Sequence, residues 1–257
     1  MAYLYFDETI RERGGFIIGA LVVANRDLSP AVAEEWKRLG LDPESDEYKS
    51  SDPKAGNDLG AAQRAVMARL LHRSKLGLTV APVADRRRLG EYCTQLIVQL
   101  IETDAIPNDD HIVYLDQSIP IAAGDLQRLH ERKVSAVPDS DSRKIGGIQV
   151  ADHAAHALGG MLLEQMGVLR KRVRAGEGSG YHPDEMLELG FELWASLRYA
   201  LIGRNEYIEG KSPPPDDPAN PYFRVDGVGL YLASTCSKEL AEQVRARFGV
   251  NYLGCIH

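Results

Sequence analysis

Apolar positions along the chain follow two alternating periods. Short unbroken apolar runs read as buried strands, and apolar residues spaced three and four apart read as helices. Tyr3, Leu4, Tyr5 and Phe6 make the first strand, which is closed by Asp7 and Glu8. The charged, glycine-rich stretch 9–15 reads as a turn, and 16–23 as the second strand, so the chain opens with a hairpin. Further strands are expected over 76–83, over 112–115 with Asp116 at its end, and over 134–137. Helices are expected from Ser29-Pro30 to near Gly40, over 59–72, over 123–132, and from Gly146-Gly147 onward. The clearest covers 89–101, with Leu89, Tyr92, Cys93, Leu96, Ile97, Leu100 and Ile101 on one stripe. In the last of these helices Ile148, Ala151, Ala155, Leu158 and Leu162 share one face, while Gln149, Asp152 and His156 share another. Gly159-Gly160 in mid-helix costs on the order of 1 kcal/mol each against Ala, and close approach of another backbone is one reason to retain them.

Strands alternating with helices indicate an α/β class. The pattern changes after Met166. Arg170, Lys171, Arg172 and Arg174 form the densest basic run, followed by a glycine-rich linker at 176–180. A helix over 183–201, a proline-rich stretch over 212–218, a strand over 228–233 and a helix over 238–248 complete the chain. The expected division is a core of residues 1–175 and a C-terminal α+β appendage, 176–257, packed on it.

Composition adds limits rather than detail. The chain has 257 residues, enough to bury a sizeable core, and a net charge of -7 that argues against coating nucleic acid but not against a local basic groove. No apolar run is long enough to span a bilayer and no leader-like segment opens the chain, so a soluble cytoplasmic protein with no membrane partner is expected. Cys93, Cys236 and Cys255 are widely spaced, which suggests neither a disulfide framework nor a zinc site. The apolar tail strand is a candidate for pairing across a homo-oligomer.

The chemistry lies in the acids. Taken alone, Asp7 and Glu8 are ordinary strand terminators, and only one of two adjacent strand residues is expected to face a given site. The picture changes because the strand over 112–115 also ends in an acid, and Asp152 lies near the start of a helix rich in small residues. Strand carboxyl ends form the usual site of an α/β sheet. Three carboxylates meeting there repel one another unless a cation neutralises them, and oxygen-only donors suit Mg²⁺ or Mn²⁺. Such ions serve phosphodiester cleavage by in-line attack of water.

The strand-Asp7-Glu8-Thr9 opener, the segment Glu47-Tyr48-Lys49, the strand ending at Asp116, and Gly147-Ile148-Gln149-Val150-Ala151-Asp152 resemble, in this order, the uncharacterised prokaryotic and phage family DUF3800. The likeness covers about residues 3–165. It implies an RNase H-like mixed β-sheet with its first strands antiparallel and flanking helices, and a metal site of Asp7, Asp116 and Asp152. Glu8 and Glu47 would be auxiliary acids, and Lys49 a phosphate or transition-state contact. The chain departs from the family at Thr9-Ile10, where Ser-Gly is usual, and at His153-Ala154-Ala155-His156, where the family is apolar and small. His156 is either a proton shuttle beside the site or a helix-surface residue without a role.

The leading expectation is therefore a Mg²⁺- or Mn²⁺-dependent, nuclease-like phosphodiesterase with Asp7, Asp116, Asp152 and Lys49 in catalytic roles. The run Arg170 to Arg174 is a candidate backbone grip, whereas Arg86 to Arg88 reads more simply as a solvated face. The alternative is a non-catalytic RNase H-like module that binds a protein or nucleic-acid partner, with defence against phage as its setting. A metal-free glycosidase is the weakest reading, because Trp36 and Trp194 are the only tryptophans and both fall in expected helices.

Overall fold

A computed structural model describes residues 1–51, 57–175 and 181–254. The expected linker at 176–180, part of the stretch between the first two expected helices (52–56), and Cys255 lie outside the described residues.

A mixed six-stranded sheet is the centre of the molecule. Its strands are β1 (Ala2–Arg11), β2 (Phe16–Ala24), β3 (Lys75–Pro82), β4 (His111–Asp116), β5 (Val134–Ser140) and, from the C-terminal region, β10 (Leu230–Leu232). The spatial order is β10-β3-β2-β1-β4-β5. Antiparallel pairing joins β1 to β2 and β2 to β3, while β1 to β4, β4 to β5 and β10 to β3 are parallel. Every residue of β2 is buried, as expected of a central strand with both faces covered.

Five helices are built from the first two thirds of the chain: α1 (Ser29–Arg38), α2 (Asp58–His72), α3 (Leu89–Glu102), α4 (Ala123–Glu131) and α5 (Gly146–Gln165). The alternation of side chains along a strand divides the core in two. Tyr5, Phe16, Ile18 and Val22 pack with Trp36 of α1, Met67 of α2 and Leu158 of α5 on one face. Leu4, Phe6, Ile17 and Leu21 pack with Leu96 and Leu100 of α3 and Leu129 of α4 on the other. At α5 a Cβ on Gly147 would fall 2.3 Å from the Tyr5 ring, so glycine lets this helix lie directly on β1. The mid-helix Gly159 admits side chains rather than a backbone: a Cβ there would meet Arg11 Nε at 2.6 Å and Thr9 Cγ2 at 2.8 Å.

Several boundaries differ from the pattern reading. β1 does not stop at Asp7 but runs on to Arg11, because β2 continues to pair with it as far as Arg11 opposite Phe16. β6 (Arg172–Arg174) pairs with β7 (Met186–Glu188), which takes three residues near the start of the helix expected over 183–201. Only α6 (Leu189–Leu197) remains helical there. Short strands β8 (Arg204–Asn205), β9 (Tyr222–Arg224) and β11 (Val250–Tyr252) form a separate three-stranded sheet in the order β11-β9-β8. The helix α7 (Lys238–Val244) is capped by Ser237 Oγ, which accepts from Leu240 N. The chain division at 175/176 is not a division of the main sheet, since the tail strand is its edge, paired with β3.

Candidate metal centre

β4 and β1 run parallel, with Phe6 opposite Leu115, and the next residue of each strand is an acid. Asp7 and Asp116 follow the alternation of Tyr5 and Tyr114, on the α5 side of the sheet. Glu8 follows Phe6, on the α3 side. Even so, one carboxylate oxygen from each of Asp7, Glu8 and Asp116 lies within 4.8 Å of the others. This corrects the expectation that only one of Asp7 and Glu8 faces the site. β4 ends here while β1 continues, so no further strand separates the faces, and the longer Glu8 side chain reaches round the end of β4. Ser118, just past β4, joins the two sides. Its Oγ lies 2.9 Å from both Glu8 carboxylate oxygens and 3.1 Å from Asp116 Oδ2, and it donates its single proton among them.

Asp152, on the second turn of α5, stands near this group but is not a member of it. Its Oδ2 accepts a hydrogen bond of 2.7 Å from Ser50 N. Its negative charge still acts on Asp7. The Asp7 side chain is only 7% exposed, and burial holds its carboxyl well above the ordinary carboxylate range. The charges of Asp116, Asp152 and Glu8 push it further, and the 2.7 Å hydrogen bond it accepts from Glu8 N only partly offsets them. Burial raises Glu8 too, against the Ser118 hydrogen bond, with Asp116 adding to the rise and Arg86 opposing it. Asp152 is raised by burial, with Ser50 and Lys49 opposing.

Lys49 reaches the site from a loop. Burial alone would lower its ammonium, but Glu47, Asp116, Asp7 and Asp152 outweigh burial and raise it. Its Nζ lies 3.6 Å from Glu47 Oε2 and 3.4 Å from Ser142 Oγ. Ser142 Oγ also donates to Glu47 at 2.6 Å. Glu47 thus belongs to the support of Lys49 rather than to the carboxylate group. Between them Tyr48 is only 3% exposed, so the loop is packed against the protein rather than solvated.

Gln149 and His153, which sequence reasoning did not place at the site, hold that loop. Gln149 is 1% exposed. Its Oε1 accepts from Tyr48 N at 2.7 Å and its Nε2 donates to Ser142 O at 2.8 Å. Tyr48 Oη lies 3.2 Å from His153 Nδ1 and accepts from Ser50 Oγ at 3.4 Å. Burial lowers His153 to about 4, so its ring is neutral at physiological pH and Nδ1 is available as the acceptor. A signal for Gln149 existed, since it lies one turn before Asp152 on the same face. His156 is exposed, and its backbone carbonyl accepts from Arg11 Nη2 at 2.9 Å. In the basic segment after β3, Arg88 pairs with Glu91 at 2.8 Å and Asp85 at 3.7 Å, while the charge of Arg86 reaches Glu8.

The donor set fits a hard divalent cation. All three members of the group are carboxylates, no sulfur or imidazole joins them among the described residues, and the charge they concentrate on a buried Asp7 is what a bound Mg²⁺ or Mn²⁺ would neutralise. A separate groove of about 760 Å³ lies beside the centre, between α1, the 42–44 segment and the start of α5. It contains none of these acids and shares only Gln149 with the supporting network.

The mixed sheet, its antiparallel opening strands and the helices on both faces make this an RNase H-like α/β fold with carboxylates at the carboxyl end of its central parallel pair. Among solved structures, a mutant of Bst-RNase HIII is 15% identical with a TM-score of 0.39, over 65% of this chain and 56% of that one. The chain therefore spans little more than half the length of that neighbour. A chain of the PCNA:RNase HII complex from Archaeoglobus fulgidus is 16% identical with a TM-score of 0.39, over 72% of this chain and 84% of that one. No protein-family model and no curated protein matches the sequence. No helix among the described residues is long and apolar enough to cross a membrane.

Proposed function

We propose that this chain, a DUF3800-like protein, is a metal-dependent phosphodiesterase that acts on nucleic acid. The observation that carries the reading is the meeting of Asp7, Glu8 and Asp116 within 4.8 Å where the parallel pairing of β1 with β4 ends. Asp7 and Asp116 hold the cation, Glu8 completes the oxygen donors, and Asp152 adds charge from α5. When bound, Mg²⁺ or Mn²⁺ supplies Lewis acidity toward a phosphoryl oxygen and a water acidic enough to attack at neutral pH. Lys49 brings a positive charge to the same edge, where it steadies the scissile phosphate and the charge developing on it. Glu47 and Ser142 keep that ammonium in place, and Gln149 keeps its loop on α5.

The test is cleavage of labelled single-stranded and duplex RNA and DNA with Mg²⁺ or Mn²⁺, against a chelator control. Divalent-dependent cleavage that Asp116→Asn removes supports the proposal. Cleavage that survives in Asp116→Asn refutes the assignment of the site.

A further inference from the structure

Arg11 ends β1 on the same strand face as Asp7 and Thr9, and it lies across α5 at Gly159. Its Nη2 donates to the His156 carbonyl at 2.9 Å, at the surface, while its Nε is buried without an acceptor. No carboxylate lies within ion-pair distance of this guanidinium among the described residues, although burial partly strips it of water. A charge that has lost part of its hydration is ordinarily paired. Here only the charge of Asp152, from beyond ion-pair distance, offsets that loss, while the packing that fixes the side chain is in place. Gly159 accepts a helix-interior cost so that Arg11 and Thr9 can lie against the helix. With Nη2 on the His156 carbonyl and Nε buried against Gly159, the remaining Nη1 edge is the one that a phosphate oxygen can meet.

We infer that Arg11 is a binding residue for a phosphate of the nucleic-acid backbone flanking the one at the carboxylates. The inference rests on the proposed function and extends it by fixing the direction in which the strand leaves the site, along β1 toward its carboxyl end and the middle of α5. Four residues of strand separate Asp7 from Arg11, about 13 Å, which is within about four nucleotides of a stacked strand. The site therefore contacts nucleic acid on one side over more than the scissile linkage.

The experiment is fluorescence anisotropy with labelled oligonucleotides in Ca²⁺, shortened stepwise from either end, on the wild type, Arg11→Gln, Arg11→Lys and Gly159→Ala. Thermal melts accompany each variant. Arg11→Gln is expected to weaken binding about tenfold and to lower the slope of log affinity against log salt by about one. Arg11→Lys should restore most of the slope. Gly159→Ala, whose Cβ would crowd both Arg11 Nε and Thr9 Cγ2, should weaken binding by displacing the guanidinium. The wild type should lose affinity when one end is trimmed by about four nucleotides, and Arg11→Gln should be indifferent to that trimming. Oligonucleotide binding with affinity and salt slope unchanged in Arg11→Gln overturns the inference and leaves the proposed function standing. A wild type that binds no oligonucleotide overturns both.

Discussion

On one side of the acidic centre, three carboxylates ride on or just beyond two adjacent parallel strands. On the other, Lys49 and Ser50 ride on a loop with no regular structure. The strand side is set by the hydrogen-bond ladder: once Phe6 pairs with Leu115, Asp7 and Asp116 must emerge together. The loop side has no ladder. It is held to α5 by Gln149, whose two hydrogen bonds span sequence separations of 101 and 7 residues, and by the Ser50 N–H on Asp152. Charge is therefore concentrated on a rigid frame, while the countercharge is carried by a part that one buried amide can release. Metal affinity is expected to reside in the first part and phosphate handling in the second.

The largest effect separates the two parts directly. Asp116→Asn should reduce divalent affinity by more than the 10–100-fold that loss of an outer-shell partner typically costs, and cleavage with it. Lys49→Met should cut cleavage by about 10–100-fold while divalent affinity stays within about threefold, a contrast read from cleavage rates at saturating Mn²⁺. Equal loss of metal affinity in both variants would erase the distinction.

Next is the amide. Gln149→Leu leaves the buried Tyr48 N–H and Ser142 C=O without partners, which should cost about 2–4 kcal/mol by denaturant unfolding. Hydrogen exchange at residues 47–50 should rise in the same variant while β1 and β4 stay protected. If exchange rises equally in the strands, the loop is not a separable part.

Asp7→Asn should act in the opposite sense. Without divalent cation, the substitution removes a buried charge crowded by Asp116, Asp152 and Glu8, so the variant should be more stable by about 1–3 kcal/mol, roughly 3–8 °C in melting temperature. The sign of the pH dependence follows. A carboxyl raised in the folded protein contributes its stability fully below the ordinary value of 3.8 and loses it as pH rises through the raised value. The advantage of Asp7→Asn should thus grow from about pH 4 upward and vanish when Mn²⁺ is added to the wild type. A variant less stable than wild type at neutral pH, metal-free, would contradict the crowding. The smallest effect is that of Tyr48→Phe, which removes the contacts to His153 and Ser50 and should cost about 1 kcal/mol with divalent affinity unchanged.

The same contrast explains what the sequence disclosed. The runs ending at Asp7 and Asp116 and the periodicity of α3 and α5 carried the sheet, its flanking helices and the meeting of two acids, because these follow from local pattern. Glu8 entered only as an auxiliary acid implied by the family resemblance, since alternation puts it on the opposite face and only the end of β4 lets it reach round. The docking of Tyr48 was hidden because nothing within 41–51 distinguishes a solvated loop from one tied to a distant glutamine. β10 was recognisable as a strand, but its place beside β3 depends on packing across 150 residues of chain, from Leu230 to Leu78. The helix expected over 183–201 failed in its first part, where pairing with β6 overrides local preference.

The central claim is that the strand-end carboxylates are a cation site. Calorimetric titration of the wild type and Asp7→Asn with Mn²⁺, each repeated with a short oligonucleotide present, tests it most directly. The account predicts saturable binding in the wild type that Asp7→Asn removes. Absence of binding in the wild type both with and without the oligonucleotide, or undiminished binding in Asp7→Asn, would contradict it.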